Sequence, residues 1–486
     1  MILDVNPESE AADNILNRIQ GLAEDNGRTI EEEESEDAVI FKRIPGDDVT
    51  FTQFRIENTI FITTNEKLAQ EMVDRWMGRE IEKIRPLEEN RKFVTIMNRC
   101  RGTQDTPPDL RFFVDPVELF RVLSRGNAGA QMAINFLPLL GLDGLLGVGG
   151  AGIINEMEFE SVTHMHLLLA NPRNGIMEMI ALKPGEYKPE NWVPTNVPIY
   201  MSGSLDAPKV YSELTKIVNG FMGEGEFEKQ VQTNINEQID IDFFEDVIKS
   251  IDGRITYAQW IDLDSGAFNA NSNGFGIKLS NPEKARELIE KVLAKVEEEN
   301  NSDEPPVLLE THDKIDYWRA NTDEAAERMQ ERRDSGDVPV SIRIPTPCFA
   351  ILDDYFVFAD NQDYMKVMIE TFNGDRSRLS EDEEFINCSE RITQLLGTDM
   401  PCGLFYSQPG PSIEMMLNMA KSDDTKNLLD MGAEDNKYVE RLRESLDNHP
   451  LPDFEDIEKY FKPSGGFITT DESGYHWLQF QLRGGN

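Results

Sequence analysis

The chain has 486 residues, which allows roughly two to four domains and a substantial core. A formal net charge of −42 repels nucleic acid and anionic lipid, so neither is an expected partner. With 39% hydrophobic and 28% charged residues, the composition is that of a soluble globular protein with a solvated acidic surface.

The N-terminal run MILDVNPESEAAD has neither a basic segment nor a long apolar stretch, so it does not read as an export signal. Asn6-Pro7 reads as a cap and first helical turn, with a face at Ile15, Leu16 and Ile19 that ends near Gly27. The same device recurs at Asn281-Pro282. Glu31 to Asp37 reads as an acidic linker or edge, and Val39 to Thr63 alternates like strands. A helix follows to Gly78. RFFVDPVELFRVL predicts a strand, an N-cap at Asp115, Pro116 in the first turn and a helix. Ala128 to Ile154 carries a single charge, Asp143, but is broken by Pro138 and many glycines. It is expected to pack inside a soluble module rather than cross a membrane.

Within that stretch GVGGAG, from Gly147, has the glycine content of a phosphate loop. Its surroundings are reversed, however, with a helix before it and a strand after it. Its Gly149-Gly150 pair, like Asp252-Gly253, reads as a helix stop followed by a strand start. Thr163-His164-Met165-His166 puts two imidazoles on one strand face. His164 and His166 are therefore half of a metal site, with no third ligand at a recognisable spacing. KPGEYKPENWVPTNVP, with Pro184, Pro189, Pro194 and Pro198, has a linker composition. YMSGSLDAPKVYSELTKIVNGF is another strand, cap and helix. Asp262, Asp264 and Gly266, with Asn269, Asn271 and Asn273, faintly resemble a calcium loop but miss its ligand pattern, and read as a hairpin loop. Further hairpins are expected at Asn273-Gly274, Asp353-Asp354 and Ser473-Gly474. Cys100, Cys348, Cys388 and Cys402 show no metal spacing. Cys348 and Cys388 read as buried thiols, and a disulfide among the last three is left open. No nucleophile, zinc-protease or nucleotide-binding motif occurs, so no catalytic residue and no cofactor is assigned.

An internal repeat organises these parts. FRIENTIFITTNEKLAQEMVDRWMG (54–78) aligns without a gap on residues 350–374, with Asn65 on Asn361, Leu68 on Tyr364, Met72 on Met368, Val73 on Ile369 and Trp76 on Phe372. Phe93 then falls on Phe385, Asp115 on Ser407, and Gly149-Gly150 on Gly465-Gly466. The expected fold is α+β. It has two related modules of antiparallel β-sheet with helices packed on one face, spanning 1–184 and 185–486, the first N-terminally incomplete. By repeat logic a full first copy would begin about 90 residues before Met1. The expectation is therefore an exposed sheet edge near Met1 and an open reading frame running upstream to an export signal.

The stretches FAILDDYFVFADNQDYMKVMIETFNG, DIDFFEDVIKSIDGRITYAQW and NPLPDFEDIEKYFKPSGGFITTDESGYHWLQFQLR resemble a bacterial, planctomycete-type family of repeat-built proteins classed as a domain of unknown function. The resemblance spans nearly the whole chain and implies an exported protein, although this chain starts without an export signal. It implies no catalytic residues. The resulting expectation is a non-catalytic envelope protein binding a protein partner or an apolar ligand between sheet and helices, located in the periplasm or envelope if an upstream signal exists and otherwise in the cytoplasm. A hydrolase with dispersed residues and a purely structural scaffold are the alternatives.

Overall fold

The structure, a computed structural model, describes every residue apart from Met1, 5–9, Asn26, Glu36, Ala38, 46–49, 80–85, 102–106, 155–157, 301–303, 336–341, 434–435 and 485–486. The Asn6-Pro7 cap lies outside the described residues. Two compact units divide between Asn90 and Arg91.

The first unit contains β1 (Ile2–Asp4), α1 (Glu10–Asp25), β2 (Glu31–Glu34), β3 (Ile40–Pro45), β4 (Thr50–Ile56), β5 (Thr59–Thr63) and α2 (Glu66–Trp76). Its strands form an antiparallel sheet in the order β1-β5-β4-β3-β2. The acidic stretch is the exposed edge strand β2, consistent with the charged edges that keep sheets from pairing further. Phe41, Phe54 and Phe61 pack with Ala69 and Val73 of α2, whose N-cap Asn65 accepts from the Leu68 backbone N–H.

The second unit runs α3 (Arg91–Arg99), β6 (Leu110–Val114), α4 (Pro116–Leu123), α5 (Ala128–Ile134), β7 (Leu145–Ile154), β8 (Phe159–Leu169), β9 (Ile199–Ser204), α6 (Ala207–Met222), β10 (Ile251–Ile261), β11 (Asn271–Leu279) and α7 (Pro282–Glu299). It continues with β12 (Val307–His312), β13 (Ile315–Ala320), β14 (Cys348–Leu352), β15 (Tyr355–Ala359), α8 (Gln362–Asn373), α9 (Glu383–Leu396), β16 (Gly403–Ser407), α10 (Gly410–Lys421), β17 (Ser464–Asp471) and β18 (Gly474–Leu482). Its 13-stranded antiparallel sheet has the order β12-β13-β14-β15-β11-β10-β9-β16-β17-β18-β8-β7-β6. No described helix is long and apolar enough to cross a membrane.

The fold is α+β, with antiparallel sheets, and the repeated segments occupy matching places. The order β2-β3-β4-β5-β1 in the first unit is that of β12-β13-β14-β15-β11 in the second. Ala69 and Val73 of α2 are buried, and so are Met365 and Ile369 at the aligned positions of α8. Tyr364 is fully buried, stacked on Trp260 of β10 at 5.5 Å. Leu68, its counterpart, is 39% exposed, because among the described residues no strand lies beside β1 where β10 lies beside β11. Among the described strands β1 ends its sheet.

The repeat boundary at 184/185 is not where the compact units divide. β6, β7 and β8 belong to the first copy by sequence, yet β8 is hydrogen-bonded along its length to β18 of the second. That ladder pairs Thr163 with Gln479, and Thr163 follows Gly149 at the same distance as Gln479 follows Gly465. The two three-stranded meanders thus meet about a local two-fold axis. The alignment beyond Phe385 needs one correction. Phe112 and Phe113 lie opposite Gly150 and Gly149, as Phe405 and Tyr406 lie opposite Gly466 and Gly465, so Val114, not Asp115, stands where Ser407 stands. In a strand a one-residue slip exchanges faces, which is why pairings, not letters, decide it.

Four further expectations change. The glycine pairs lie inside strands β7 and β17. A Cβ on Gly149 would meet Ile96 of α3 at 2.8 Å, and one on Gly465 would meet Cys388 of α9 at 3.3 Å, so bare backbone lets those helices approach. Asn273-Gly274 is likewise inside β11, not a hairpin turn. The proline-rich stretch is no linker: Trp192, Val193 and Val197 are fully buried in the main core as a strap across the sheet. Helices also cover parts of both sheet faces. α8 and α9 pack on one, while α7 packs on the other through Ala285, against Leu279 and Ile351.

The apolar stretch Ala128 to Ile154 is split. From Gly141 onward it is packed, with β7 held between β6 and β8. Before that, Met132, Phe136 and Leu139 stay more than a third exposed, with Phe136 set against Phe221 of α6 at 5.4 Å and Leu139 beside Gly220.

Candidate functional site

Side chains alternate across a strand, so a cross-strand row lies on one face. One row on the face opposite α8 and the strap reads Leu309, Trp318, Phe349, Phe358, Phe275, Tyr257, Met201, Phe405. Its neighbour reads Ile351, Phe356, Ile277, Ile255, Gly203, Gly403, Ile468, Trp477, Met165. α7 covers the first end of the second row, at Ile351 and Phe356, and its Arg286 lies over Trp318 of the first.

Where the second row crosses from β9 to β16, two glycines face each other, and the missing side chains leave a groove. Leu182 and Leu205 line it with Met201, Ile255, Phe405 and Trp477, and its volume is about 290 Å³. This is near the lower end for small-molecule sites, about 300 Å³, and suits something narrow. The accessible wall is almost wholly apolar. The Trp477 indole N–H is buried out of reach of solvent and has no acceptor among the described residues. Met201 and Ile255 are more than a third exposed, so the floor is reachable from solvent.

His164 and His166 lie on the opposite, helix-covered face. The structure supplies the third imidazole that spacing could not: His476 of β18, directly opposite His166. His164 Nδ1 lies 3.2 Å from His476 Nε2, while His166 Nε2 faces Ser473 Oγ at 3.3 Å. The three rings do not present nitrogens to one point. Among the described residues the one three-ligand grouping is His312, Asp313 and Glu370, where Glu370 is already bound by Arg376. The Ser473 contact is not that of an activated serine. Its hydroxyl donates to Asp471 at 2.6 Å, and His166 Nδ1 has no partner among the described residues to orient the ring.

Burial lowers the pKa of His164 and His166. Burial, then His164, His166 and Arg99, pushes His476 down to about 4, against the pull of Asp471. The unfolded chain therefore takes up these protons first. Stability present above about pH 6.5 is lost as pH falls toward 4 and levels off below. His476 alone contributes ~3 kcal/mol to that loss. The expected result is a urea midpoint that drops between pH 7 and pH 4.5 by clearly more in the wild type than in His476→Gln.

The remaining sequence candidates have structural roles. The loop from Asp262 to Ala270 joins β10 to β11 and is held by Arg343, which bonds the Asn269 carbonyl at 2.7 Å and faces Asp262 at 3.6 Å. GVGGAG is strand, not a phosphate loop. All four cysteines are buried free thiols, with burial pushing Cys100, Cys348 and Cys388 up to about 12 and Cys402 to about 11. Sequence reading missed the groove because Gly203 and Gly403 meet only through strand pairing.

No protein-family model matches the chain, and no curated protein matches it. Among solved structures, the crystal structure of AnaPT from Neosartorya fischeri aligns over 86% of this chain and 99% of that chain, at 9% identity and a TM-score of 0.15. A likeness at that level carries no argument.

Proposed function

We propose that the protein is a non-catalytic binding protein whose glycine-floored groove holds a single apolar chain, such as an acyl chain of a lipid or lipoprotein. The observation that carries this is the Gly203–Gly403 floor, walled by Met201, Ile255, Phe405 and Trp477. A place in the cell envelope follows from the family resemblance and is part of the proposal.

Gly203→Leu tests it. A Cβ there meets nothing closer than Leu182 at 3.5 Å, so the variant is expected to fold while its side chain fills the groove. Displacing about two methylenes of ligand costs ~1.6 kcal/mol, or more than tenfold in affinity. The measurement is titration with a fluorescent fatty acid, following Trp quenching. Equal binding by wild type and Gly203→Leu would remove the groove from the account.

A further inference from the structure

The β12–β13 hairpin closes on a two-residue turn, Asp313 and Lys314, both at positive φ, with His312 paired to Ile315 on either side. Its tip lies against the end of α8, where Asn373 Nδ2 donates to the Asp313 carbonyl at 3.2 Å. That contact sets three metal-ligating side chains together. His312 Nε2 lies 2.9 Å from Glu370 Oε1 and 3.5 Å from Asp313 Oδ2, and the three ligand atoms are all within 4.8 Å of one another. Arg376 holds Glu370 through Oε2, which leaves Oε1 turned to the imidazole.

The first unit shows what the same place holds there. In the repeat, Asp74 of α2 aligns with Glu370 of α8, and Asp37 sits in the β2–β3 turn as Asp313 sits in the β12–β13 turn. One guanidinium joins the two acids of the first unit: Arg79 Nη1 donates to Asp37 at 2.9 Å and to Asp74 at 2.8 Å. In the second unit Arg376 takes the helix acid alone, and among the described residues Asp313 is paired only with His312. The second unit thus keeps the turn acid and the helix acid that share a cation in the first, and adds an imidazole between them.

We propose that His312, Asp313 and Glu370 bind one divalent transition-metal cation of the zinc kind, which clips the β12–β13 hairpin to α8 as Arg79 clips the β2–β3 turn to α2. One imidazole with two carboxylates is a zinc donor set, whereas calcium and magnesium take oxygen ligands. Metal–ligand bonds of ~2.1 Å put tetrahedral ligands ~3.4 Å apart, so the His312–Asp313 separation already fits and the His312–Glu370 pair need open only slightly. Arg376 on the second Glu370 oxygen fixes the direction of the first, as outer partners of metal ligands do. Asp313 is exposed, so the cation enters from solvent and keeps water as its fourth ligand. The site is separate from the groove, and the proposal does not depend on what the groove binds.

The test is calorimetric titration of the full chain with zinc chloride in excess magnesium, which occupies the loose carboxylates of a surface charged to −42. One zinc per chain is expected. Binding at least tenfold weaker is expected for His312→Gln and for Asp313→Asn, the second a change that a φ of 45° tolerates. With a chelator present, both variants should unfold at the wild-type urea midpoint. Zinc should then raise the midpoint of the wild type and leave that of Asp313→Asn where it was. No zinc bound by the wild type, or equal uptake by the wild type and both variants, overturns the proposal. So does zinc that is held only when magnesium is left out, since the general acidity of the surface would then account for it.

Discussion

Glu190→Ala is expected to lower the unfolding free energy by about 4 kcal/mol, within the range for removing one partner of a buried ion pair. Glu190 sits on the proline-rich strap with its side chain 3% exposed, 2.8 Å from Arg254 Nε. Its carboxylate also accepts from Thr256 at 2.7 Å, Tyr200 at 3.2 Å and Tyr355 at 3.3 Å. Burial, then the Glu190 charge, holds both tyrosines well above the usual phenol range, so they remain donors. Alanine would strand Arg254 in the core and leave three hydroxyls without their acceptor. Replacing both charges, as in Glu190→Leu with Arg254→Met, should recover much of the loss, because the desolvated cation goes as well. Urea unfolding checks both variants. A loss below 1 kcal/mol for Glu190→Ala would mean that the strap does not hold the sheet.

Gly276→Val is expected to cost about as much, for a steric reason. A Cβ at Gly276 would lie 2.3 Å from the Trp192 ring, which is 1% exposed and packed edge-on against Tyr355 at 6.1 Å. The indole cannot yield in place, so the valine must expel it. That combines overpacking with loss of a buried tryptophan, ~4 kcal/mol together. Trp192→Ala in the same chain should make the valine nearly neutral. The coupling in that double-mutant cycle, read from urea midpoints, is the check. Additive losses would show that the two residues do not share the space.

Local patterns carried the parts of this fold that were readable in advance. The spacing of Tyr364, Met368 and Ile369 behind the Asn361 cap marks one helix, and the gapless match to 54–78 marks the other. Both hold because cap and periodicity lie within a few residues of each other. Parts made by distant pairing were not readable. Prolines at 184, 189, 194 and 198 look like a linker until Gly276 makes room for Trp192. His476 joins His164 and His166 only because β18 pairs with β8. Gly203 and Gly403 become a groove only because β9 pairs with β16. Likewise, the apolar run before Gly141 reads as core by composition, yet Met132, Phe136 and Leu139 keep more than a third of their surface exposed.

The central claim is that the Gly203–Gly403 floor receives an apolar chain. It is met most directly by native mass spectrometry of the full-length protein after incubation with phospholipid vesicles and separation from them. The account predicts one bound lipid or fatty acid per wild-type chain and a bare Gly203→Leu chain. Wild-type protein that stays bare, or the same adduct on both, would contradict it.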